Sequence, residues 1–184
     1  RAGGLDVTAD QYPYIAAATS LGATIPPRYH EGGVEAFISR LKDPEQRNLI
    51  RRELEQPPQG SLENMWRGTG GPEGILVVSV LNPELKKYEG KTIAQVAQEQ
   101  NKDPLDALMD LVVADRDNVG AVYFSMNEDE LRLAMRQPWV SVNCDAEARN
   151  PAGPLGESKT HPRAYGTFPR ILGKYVREER VLRL

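Results

Sequence analysis

Apolar and polar residues follow two different periods along the chain, and the period predicts which segments are strands and which are helices. The clearest strand pattern is Ile75–Val80, a continuous run rich in β-branched residues that is typical of a strand covered on both faces. Shorter strand patterns cover 5–12 and 120–125, and a further one, predicted to be buried, runs from Trp139 to Asp145. Apolar residues spaced by three or four positions predict helices that begin near residues 33, 44, 93, 104 and 128.

Start signals support two of these helices. Asp43 and Asp103 each precede a proline, an arrangement in which the Asp caps the helix and the proline takes its first position. Two other segments show no regular period. Residues 15–25 are rich in small side chains and predict a loop or short helix, and residues 161–170, crowded with proline, glycine and aromatic side chains, predict an irregular loop.

The order of these elements predicts an α/β fold. A strand, a helix and another strand in succession favour parallel strand pairing. The stretch between Gly22 and Gly120 is much longer than the roughly 2–6 residues of an ordinary connection, and it has its own helices and strand. We therefore predict three parts: a strand and loop at 1–21, an inserted α/β subdomain at 22–119, and the last strands, a helix and a loop at 120–184.

Composition and charge restrict the partners. Of the 184 residues, 40% are hydrophobic and 27% charged, as in an ordinary globular protein, and the net charge of −3 argues against a nucleic-acid surface. The longest apolar run, Ile75–Leu81, is far shorter than the about 20 residues that span a bilayer. A single cysteine, Cys144, excludes an internal disulfide and suits a reducing compartment. We expect a cytoplasmic protein without nucleic-acid or membrane partners.

Both ends of the sequence indicate a fragment of a longer protein. There is no initiator Met, and Arg1–Gly4 resembles the last turn of a helix running into a glycine stop. Isolated strands with open edges favour pairing with other chains, so we expect the fragment to self-associate through exposed strands or to fold only as its insert.

Asp145 is the first candidate for chemistry, because it comes at the end of a predicted strand. There a carboxylate can ligate a metal or act as a general base, although aspartates that only cap the next turn are common. Cys144 points to the other face of the strand and is predicted to be a buried small apolar side chain rather than a nucleophile.

The histidines do not form a metal-binding pattern. His30 and His161 are the only two in the chain, and neither belongs to an HxH or HExxH spacing. His30 is predicted to lie in a surface loop, and His161, which precedes a proline, to be structural. We predict that this chain contains no zinc site of its own.

Arginine and tyrosine side chains are candidates for substrate binding. Arg163 and Arg170 flank an aromatic segment, and a guanidinium group can hold a substrate carboxylate with two hydrogen bonds. The alternative is stacking on Tyr165 or Phe168 for packing. Tyr12 and Tyr14 follow the first strand, where their hydroxyl groups could reach the same site or could simply fill the core.

Four motifs, taken together and in order, are specific enough to indicate a family. They are Asp10-Gln11-Tyr12-Pro13-Tyr14, Tyr88-Glu89-Gly90-Lys91-Thr92, the strand ending at Asp145, and His161-Pro162-Arg163-Ala164-Tyr165-Gly166-Thr167-Phe168-Pro169-Arg170. With these motifs the sequence resembles, along essentially the whole chain, the D-aminoacylase (N-acyl-D-amino-acid deacylase) branch of the amidohydrolase superfamily.

The resemblance implies a fold and a chemistry. The chain would be the C-terminal part of a TIM barrel, with late barrel strands and an inserted subdomain, and the zinc would be held largely by histidines on earlier strands. Asp145 would take a proton from zinc-bound water and return it to the leaving amine. Tyr14, Ser20 and Arg163 would grip the α-carboxylate of a small N-acyl amino acid substrate.

Three departures from the family pattern and two other hypotheses accompany this assignment. Ala146 follows Asp145 where the family often has Gly, and Cys144 stands where it often has Ser. The loop between Asp145 and Arg163 is also long compared with some members. The other hypotheses are a non-catalytic lid or oligomerisation module and an amidohydrolase that acts on cyclic amides.

Overall fold

The computed structural model describes residues 3–57, 63–148, 150–153, 156 and 160–183, and these form two compact units. Unit 1 comprises the described residues of Arg1–Ile15 and Met126–Leu184, and unit 2 is Ala16–Ser125. The predicted helix end at Arg1–Gly4 lies partly outside the described residues. The described helices include none long and apolar enough to cross a membrane.

Unit 2 is a three-stranded sheet covered by helices. The strands are β2 (Ala17–Ser20), β3 (Ile75–Ser79) and β4 (Gly120–Tyr123), in the order β2-β4-β3. The helices are α1 (Gly33–Lys42), α2 (Pro44–Glu55), α3 (Met65–Gly68), α4 (Ile93–Gln100) and α5 (Pro104–Ala114).

The strands of unit 2 run antiparallel, so the prediction of parallel pairing is wrong for this sheet. Tyr123 pairs with Ala17 on one side and Ile75 on the other, both antiparallel. The chain that connects β3 to β4 contains two helices, α4 and α5, which pack against each other. With a single connecting helix the chain returns to the end of the sheet at which β3 began, and the next strand would run parallel to β3. A second helix brings the chain back to the end at which β3 finished, so β4 runs antiparallel to β3. Residues 17–20, predicted as loop or short helix, form the edge strand β2.

A continuous apolar core holds unit 2 together. Ile75 and Val77 on β3 are fully buried, whereas Leu76 and Val78 between them are half-buried, so one face of this strand is more deeply covered than the other. Helix α5 contributes the largest share of the core from one element, with six buried side chains: Leu105, Ala107, Leu108, Met109, Leu111 and Val112.

The predicted helix caps are confirmed. The Asp43 side chain accepts a hydrogen bond from the backbone N–H of Glu45, and Asp103 accepts from Leu105 and Asp106. Asp103 also receives a hydrogen bond from Arg51 of α2 at 2.7 Å. The cap of one helix is therefore also a link between two helices.

Tyr123 places a phenol inside unit 2. Its hydroxyl donates to the Ser20 carbonyl oxygen at 2.9 Å and lies 3.0 Å from the Thr24 hydroxyl. Only 1% of the residue is exposed, and this burial raises the pKa of Tyr123 from 10.0 to about 12. The folded protein therefore keeps this proton at a pH at which the unfolded chain loses it.

We expect the free energy of unfolding to fall between pH 10 and pH 12 partly because of Tyr123. In that range the unfolded chain releases the proton and the folded chain retains it, so about 3 kcal/mol of stability is lost as the pH rises. Tyr123→Phe should remove this part of the slope in denaturant titrations at several pH values. Tyr165→Phe, which changes a half-exposed residue, is the control, and equal slopes for wild type and Tyr123→Phe would contradict the assignment.

Unit 1 contains a two-stranded parallel sheet. Strands β1 (Ala9–Gln11) and β5 (Val140–Val142) pair in register from Ala9 with Val140 to Gln11 with Val142. Helix α6 (Glu128–Met135) precedes β5, and its Leu131 and Met135 pack with Ile171 and Tyr175 in a small core. The strand predicted over Trp139–Asp145 is shorter than expected, ends three residues before Asp145, and is half-buried to exposed rather than buried.

The segment predicted as an irregular loop is helical. Helix α7 (Arg163–Arg170) continues as a π-helix over Ile171–Glu178, with Pro169 inside it. Thr167, Ile171 and Tyr175 are buried at intervals of four residues. One buried face therefore stabilises a helix whose proline and glycine content argues locally against it, and the missing N–H of proline fits the change to the wider helical turn.

Candidate active site

Unit 1 brings together two of the predicted site residues, Asp145 and Arg163. Arg163 Nη2 lies 3.0 Å from Asp145 Oδ2. The Asp145 side chain is 61% exposed and that of Arg163 only 11%, so the guanidinium group is held in the protein while the carboxylate faces solvent. The Asp145 carboxylate is therefore accessible from solvent, and its ion pair with the Arg163 guanidinium group fixes its orientation.

The backbone at Asp145 also constrains this carboxylate. Asp145 has a φ of +43°, in the left-handed region that residues other than glycine rarely adopt. The Asn143 side chain accepts a hydrogen bond from the backbone N–H of Asp145 and stabilises this turn. Asp145 therefore stands on a tight turn after β5, and not in the strand as the sequence predicted.

Cys144, next to Asp145, is half-buried rather than buried as predicted. Its Sγ lies 3.8 Å from the Ala146 carbonyl oxygen. This weak contact with a backbone oxygen provides no activation of a thiolate. The prediction that Cys144 is not a nucleophile stays a prediction.

Aromatic rings surround Arg163 and the loop after β1. The guanidinium carbon of Arg163 lies 4.8 Å from the centre of the Tyr12 ring, a cation–π distance. The His161 ring contacts both tyrosines edge-on, at 6.2 Å from Tyr12 and 5.2 Å from Tyr14. The Tyr14 hydroxyl donates to the Pro162 carbonyl oxygen at 3.3 Å. The Tyr14 hydroxyl therefore lies at the residue that precedes Arg163 in the chain.

His161 has a structural contact, as predicted. Its Nδ1 accepts a hydrogen bond from the backbone N–H of Arg163 at 3.0 Å, at the start of α7, and the residue is 7% exposed. An Nδ1 atom used in this way is not available to a metal. His30 in unit 2 stacks on Phe37 at 3.9 Å, and its Nε2 lies 3.2 Å from the Ile25 carbonyl oxygen.

The described residues do not fit a zinc site. Within 3–57, 63–148, 150–153, 156 and 160–183, no group of three or more His, Cys, Asp or Glu side chains is placed to hold a metal ion. Both histidines of the chain have other contacts, and Asp145 is paired with an arginine.

Ser20 is the one predicted site residue that lies in unit 2. It is the last residue of β2, pairs with Gly120 of β4, and its carbonyl oxygen accepts the hydrogen bond from Tyr123. These contacts are made by its backbone. The predicted role of its side chain in substrate binding stays a prediction.

The hydroxyl group of Tyr14 remains protonated at neutral pH. Burial raises the pKa of Tyr14, and the charge of Arg170 acts in the opposite direction without cancelling this effect. Tyr14 is therefore a hydrogen-bond donor under ordinary conditions. Its single proton is donated to the Pro162 carbonyl oxygen.

The sequence is similar to those of known deacylases. The chain is 34% identical over 95 residues to an N-acyl-D-glutamate deacylase of Alcaligenes xylosoxydans xylosoxydans and 32% identical over 96 residues to a D-aminoacylase of the same organism. Each match covers 52% of this chain and 17% of the relative. The predicted resemblance to the D-aminoacylase family is confirmed. No protein-family model matches the chain.

Solved structures of the D-aminoacylase family share the fold. An N-acyl-D-glutamate deacylase from Bordetella bronchiseptica, complexed with zinc and a phosphonate inhibitor that mimics the tetrahedral intermediate, superposes with a TM-score of 0.58 at 23% identity. A D-aminoacylase, an amidohydrolase, superposes with a TM-score of 0.55 at 21% identity. Both matches cover 100% of this chain but only 27% of the known structure. The chain thus spans about a quarter of these relatives, and its mixed helix and strand architecture is theirs.

Glu128 belongs to the same unit and was missed by sequence reasoning. It accepts hydrogen bonds from Lys174 at 2.6 Å and from Tyr175 at 2.9 Å, and lies 3.2 Å from Arg170. In sequence Glu128 is one of several acids in the first turn of α6. That position gives no signal for a contact with residues more than forty positions later.

Proposed function

We propose that this chain is the C-terminal part of the catalytic domain of a zinc-dependent N-acyl-D-amino-acid deacylase, which hydrolyses the amide bond of its substrate. The carrying observation is the contact between Asp145 and Arg163 on a scaffold that matches D-aminoacylases. Three similar proteins support the substrate class, since they are named for N-acyl-D-glutamate, D-aminoacyl and N-acyl-D-aspartate substrates.

We place unit 1 at the end of a TIM barrel. Consecutive barrel strands are parallel neighbours joined through a helix. Strands β1 and β5 pair in parallel, and α6 leads into β5, which supports their assignment as two successive barrel strands. Unit 2, Ala16–Ser125, would then be an insertion between β1 and α6. Its boundaries are somewhat wider than the 22–119 expected from connection lengths.

The proposed chemistry divides between two side chains. Asp145 would accept a proton from the attacking water and pass it to the amide nitrogen, so that the C–N bond breaks to give a carboxylate and a free amine. Arg163 has a planar guanidinium group with five N–H donors, a geometry that suits the α-carboxylate of the substrate. Tyr14 would add a hydroxyl donor to the same carboxylate by turning its proton away from the Pro162 carbonyl oxygen. The predicted role of Ser20 in substrate binding stays a prediction.

Zinc would belong to the longer protein. A related structure contains zinc, but the described residues of this chain supply no ligand set, so its ligands would lie on the part of the protein that precedes them. The steps assigned to Asp145 and Arg163 concern proton transfer and binding only.

The proposed function is tested by a substrate panel on the longer protein that contains this chain. We expect release of the free amino acid from N-acetyl-D-glutamate, N-acetyl-D-aspartate and N-acetyl-D-leucine, and none from the L-enantiomers. A hydantoin serves as the cyclic amide. Preference for the L-enantiomers or for the hydantoin would contradict the assignment.

The isolated 184-residue chain is expected to have no deacylase activity and to bind no stoichiometric zinc. It carries two histidines and one cysteine. His30 contacts the Ile25 carbonyl oxygen, and His161 accepts a hydrogen bond from the backbone N–H of Arg163. Metal analysis after dialysis against zinc, together with an assay on N-acetyl-D-glutamate, measures both properties. Turnover by the isolated chain, or one bound zinc per chain, would contradict this prediction.

A further inference from the structure

Arg170, the last residue of α7, connects three parts of unit 1. Its Nε donates to the Pro13 carbonyl oxygen at 2.7 Å, and its Nη2 lies 3.2 Å from Glu128 Oε1 on α6. Its guanidinium carbon lies 5.1 Å from the centre of the Tyr14 ring. One side chain thus holds the backbone of the loop after β1 and the aromatic ring next to it.

Glu128 keeps Arg170 in this position. Besides Arg170, the Glu128 carboxylate binds Lys174 Nζ at 2.6 Å and the Tyr175 hydroxyl at 2.9 Å. Burial alone would raise the pKa of Glu128, but the hydrogen bonds from Lys174 and Tyr175 outweigh it and lower the pKa. Glu128 is therefore anionic at neutral pH and is fixed from several directions.

Tyr14 has little freedom on the side that faces α7. A Cβ atom at Gly166 would lie only 2.5 Å from the Tyr14 hydroxyl oxygen, so this glycine is what allows the phenol to lie against the helix. Arg170 covers the ring, and the Pro162 carbonyl accepts from the hydroxyl. The position of the hydroxyl depends on α7 more than on the loop that carries Tyr14.

We propose that Arg170, held by Glu128, is a positioning residue that fixes Tyr14 for binding the α-carboxylate of the substrate. The inference rests on the proposed function, in which Tyr14 and Arg163 share that carboxylate. Arg170 itself would not touch the substrate. It acts through the Pro13 carbonyl and the Tyr14 ring, so its loss would affect binding of the carboxylate more than the chemical step.

A double-mutant cycle on the longer enzyme tests this role. Arg170→Gln, Tyr14→Phe and the double variant are assayed with N-acetyl-D-glutamate and with its α-carboxamide, which lacks the anionic group. We expect Arg170→Gln to raise KM for the carboxylate about tenfold, the effect of losing one charged hydrogen bond, with kcat nearly unchanged. The double variant should be no worse than Tyr14→Phe alone, because the two residues act as one. With the carboxamide, Arg170→Gln should have little effect.

Arg177→Gln is the matched control, since this arginine lies on the same helical segment, is 78% exposed and pairs only locally, with Glu178. If Arg170→Gln does not fold, Glu128→Gln replaces it in the cycle. This variant should also raise KM for the carboxylate substrate and not for the carboxamide, by a smaller factor than Arg170→Gln. Additive losses in the cycle, or equal losses with carboxylate and carboxamide, would mean that Arg170 only stabilises the fold and would overturn the inference alone. An unsubstituted enzyme inactive on every N-acyl-D-amino acid would overturn the proposed function and this inference with it.

Discussion

Asp145→Asn is expected to lower kcat of the longer enzyme by about 10²–10⁴-fold, the usual contribution of a positioned general base. Asn is nearly the same size and can still accept a hydrogen bond from Arg163, so the change removes proton transfer while keeping the local contact. KM should change much less, because the groups proposed to hold the carboxylate remain. Steady-state kinetics with N-acetyl-D-glutamate measures both constants.

The control for this substitution is Asp129→Asn. Asp129 lies on α6 of the same unit, its side chain is 97% exposed, and it pairs with Arg132 at the surface. The kcat of the Asp129→Asn variant should equal that of the unsubstituted enzyme. If Asp145→Asn retains more than about a tenth of kcat, the carboxylate is not the general base, and the turn that carries it would have only a structural role.

Leu108→Ala is expected to lower the free energy of unfolding of unit 2 by about 3–5 kcal/mol. Leu108 is fully buried at the centre of α5, and its neighbours in the core come from several elements of unit 2. Deleting its side chain removes apolar burial and leaves a cavity that these neighbours can fill only in part. The loss would be a large part of the stability of a unit this size.

Denaturant titration followed by tryptophan fluorescence measures this effect. Trp66 packs against the core of unit 2, and a Trp139→Phe background leaves it as the sole tryptophan. Leu49→Ala on α2, where the leucine is 48% exposed, is the control and should cost less than about 1 kcal/mol. A loss below that value for Leu108→Ala as well would mean that α5 is not the centre of the core.

Much of the fold could be predicted from the sequence because it depends on local rules. Helices α1, α2, α4, α5 and α6 follow from apolar spacing, and the caps at Asp43 and Asp103 from the residue types that satisfy free N–H groups. The order of the motifs also indicated a resemblance to the D-aminoacylase family, and this resemblance is confirmed by the similar proteins. The spacing and cap signals each lie within a short stretch of chain, whereas the family resemblance depends on four motifs in order between Asp10 and Arg170.

Strand direction and the structure of 161–170 could not be predicted in the same way. Strands β3 and β4 are antiparallel because the chain that connects them contains two helices, α4 and α5, and this is a property of the whole connection. Helix α7 forms although its sequence is rich in helix-breaking residues, because Thr167 and the π-helical residues after it are buried together. Burial of a shared face outweighs local propensity here.

The candidate site shows the same division between sequence and tertiary structure. The sequence by itself determined which side chains are available for chemistry, namely Asp145, Arg163 and Tyr14, and that two histidines without metal spacing accompany them. Only the tertiary structure decided that Arg163 supports Asp145 and that Glu128 holds Arg170 against Tyr14. These pairs are far apart in sequence, and their contact depends on how α6, α7 and the loop after β1 pack. Hydrogen bonds and ion pairs form only between groups that packing has brought within about 4 Å of each other.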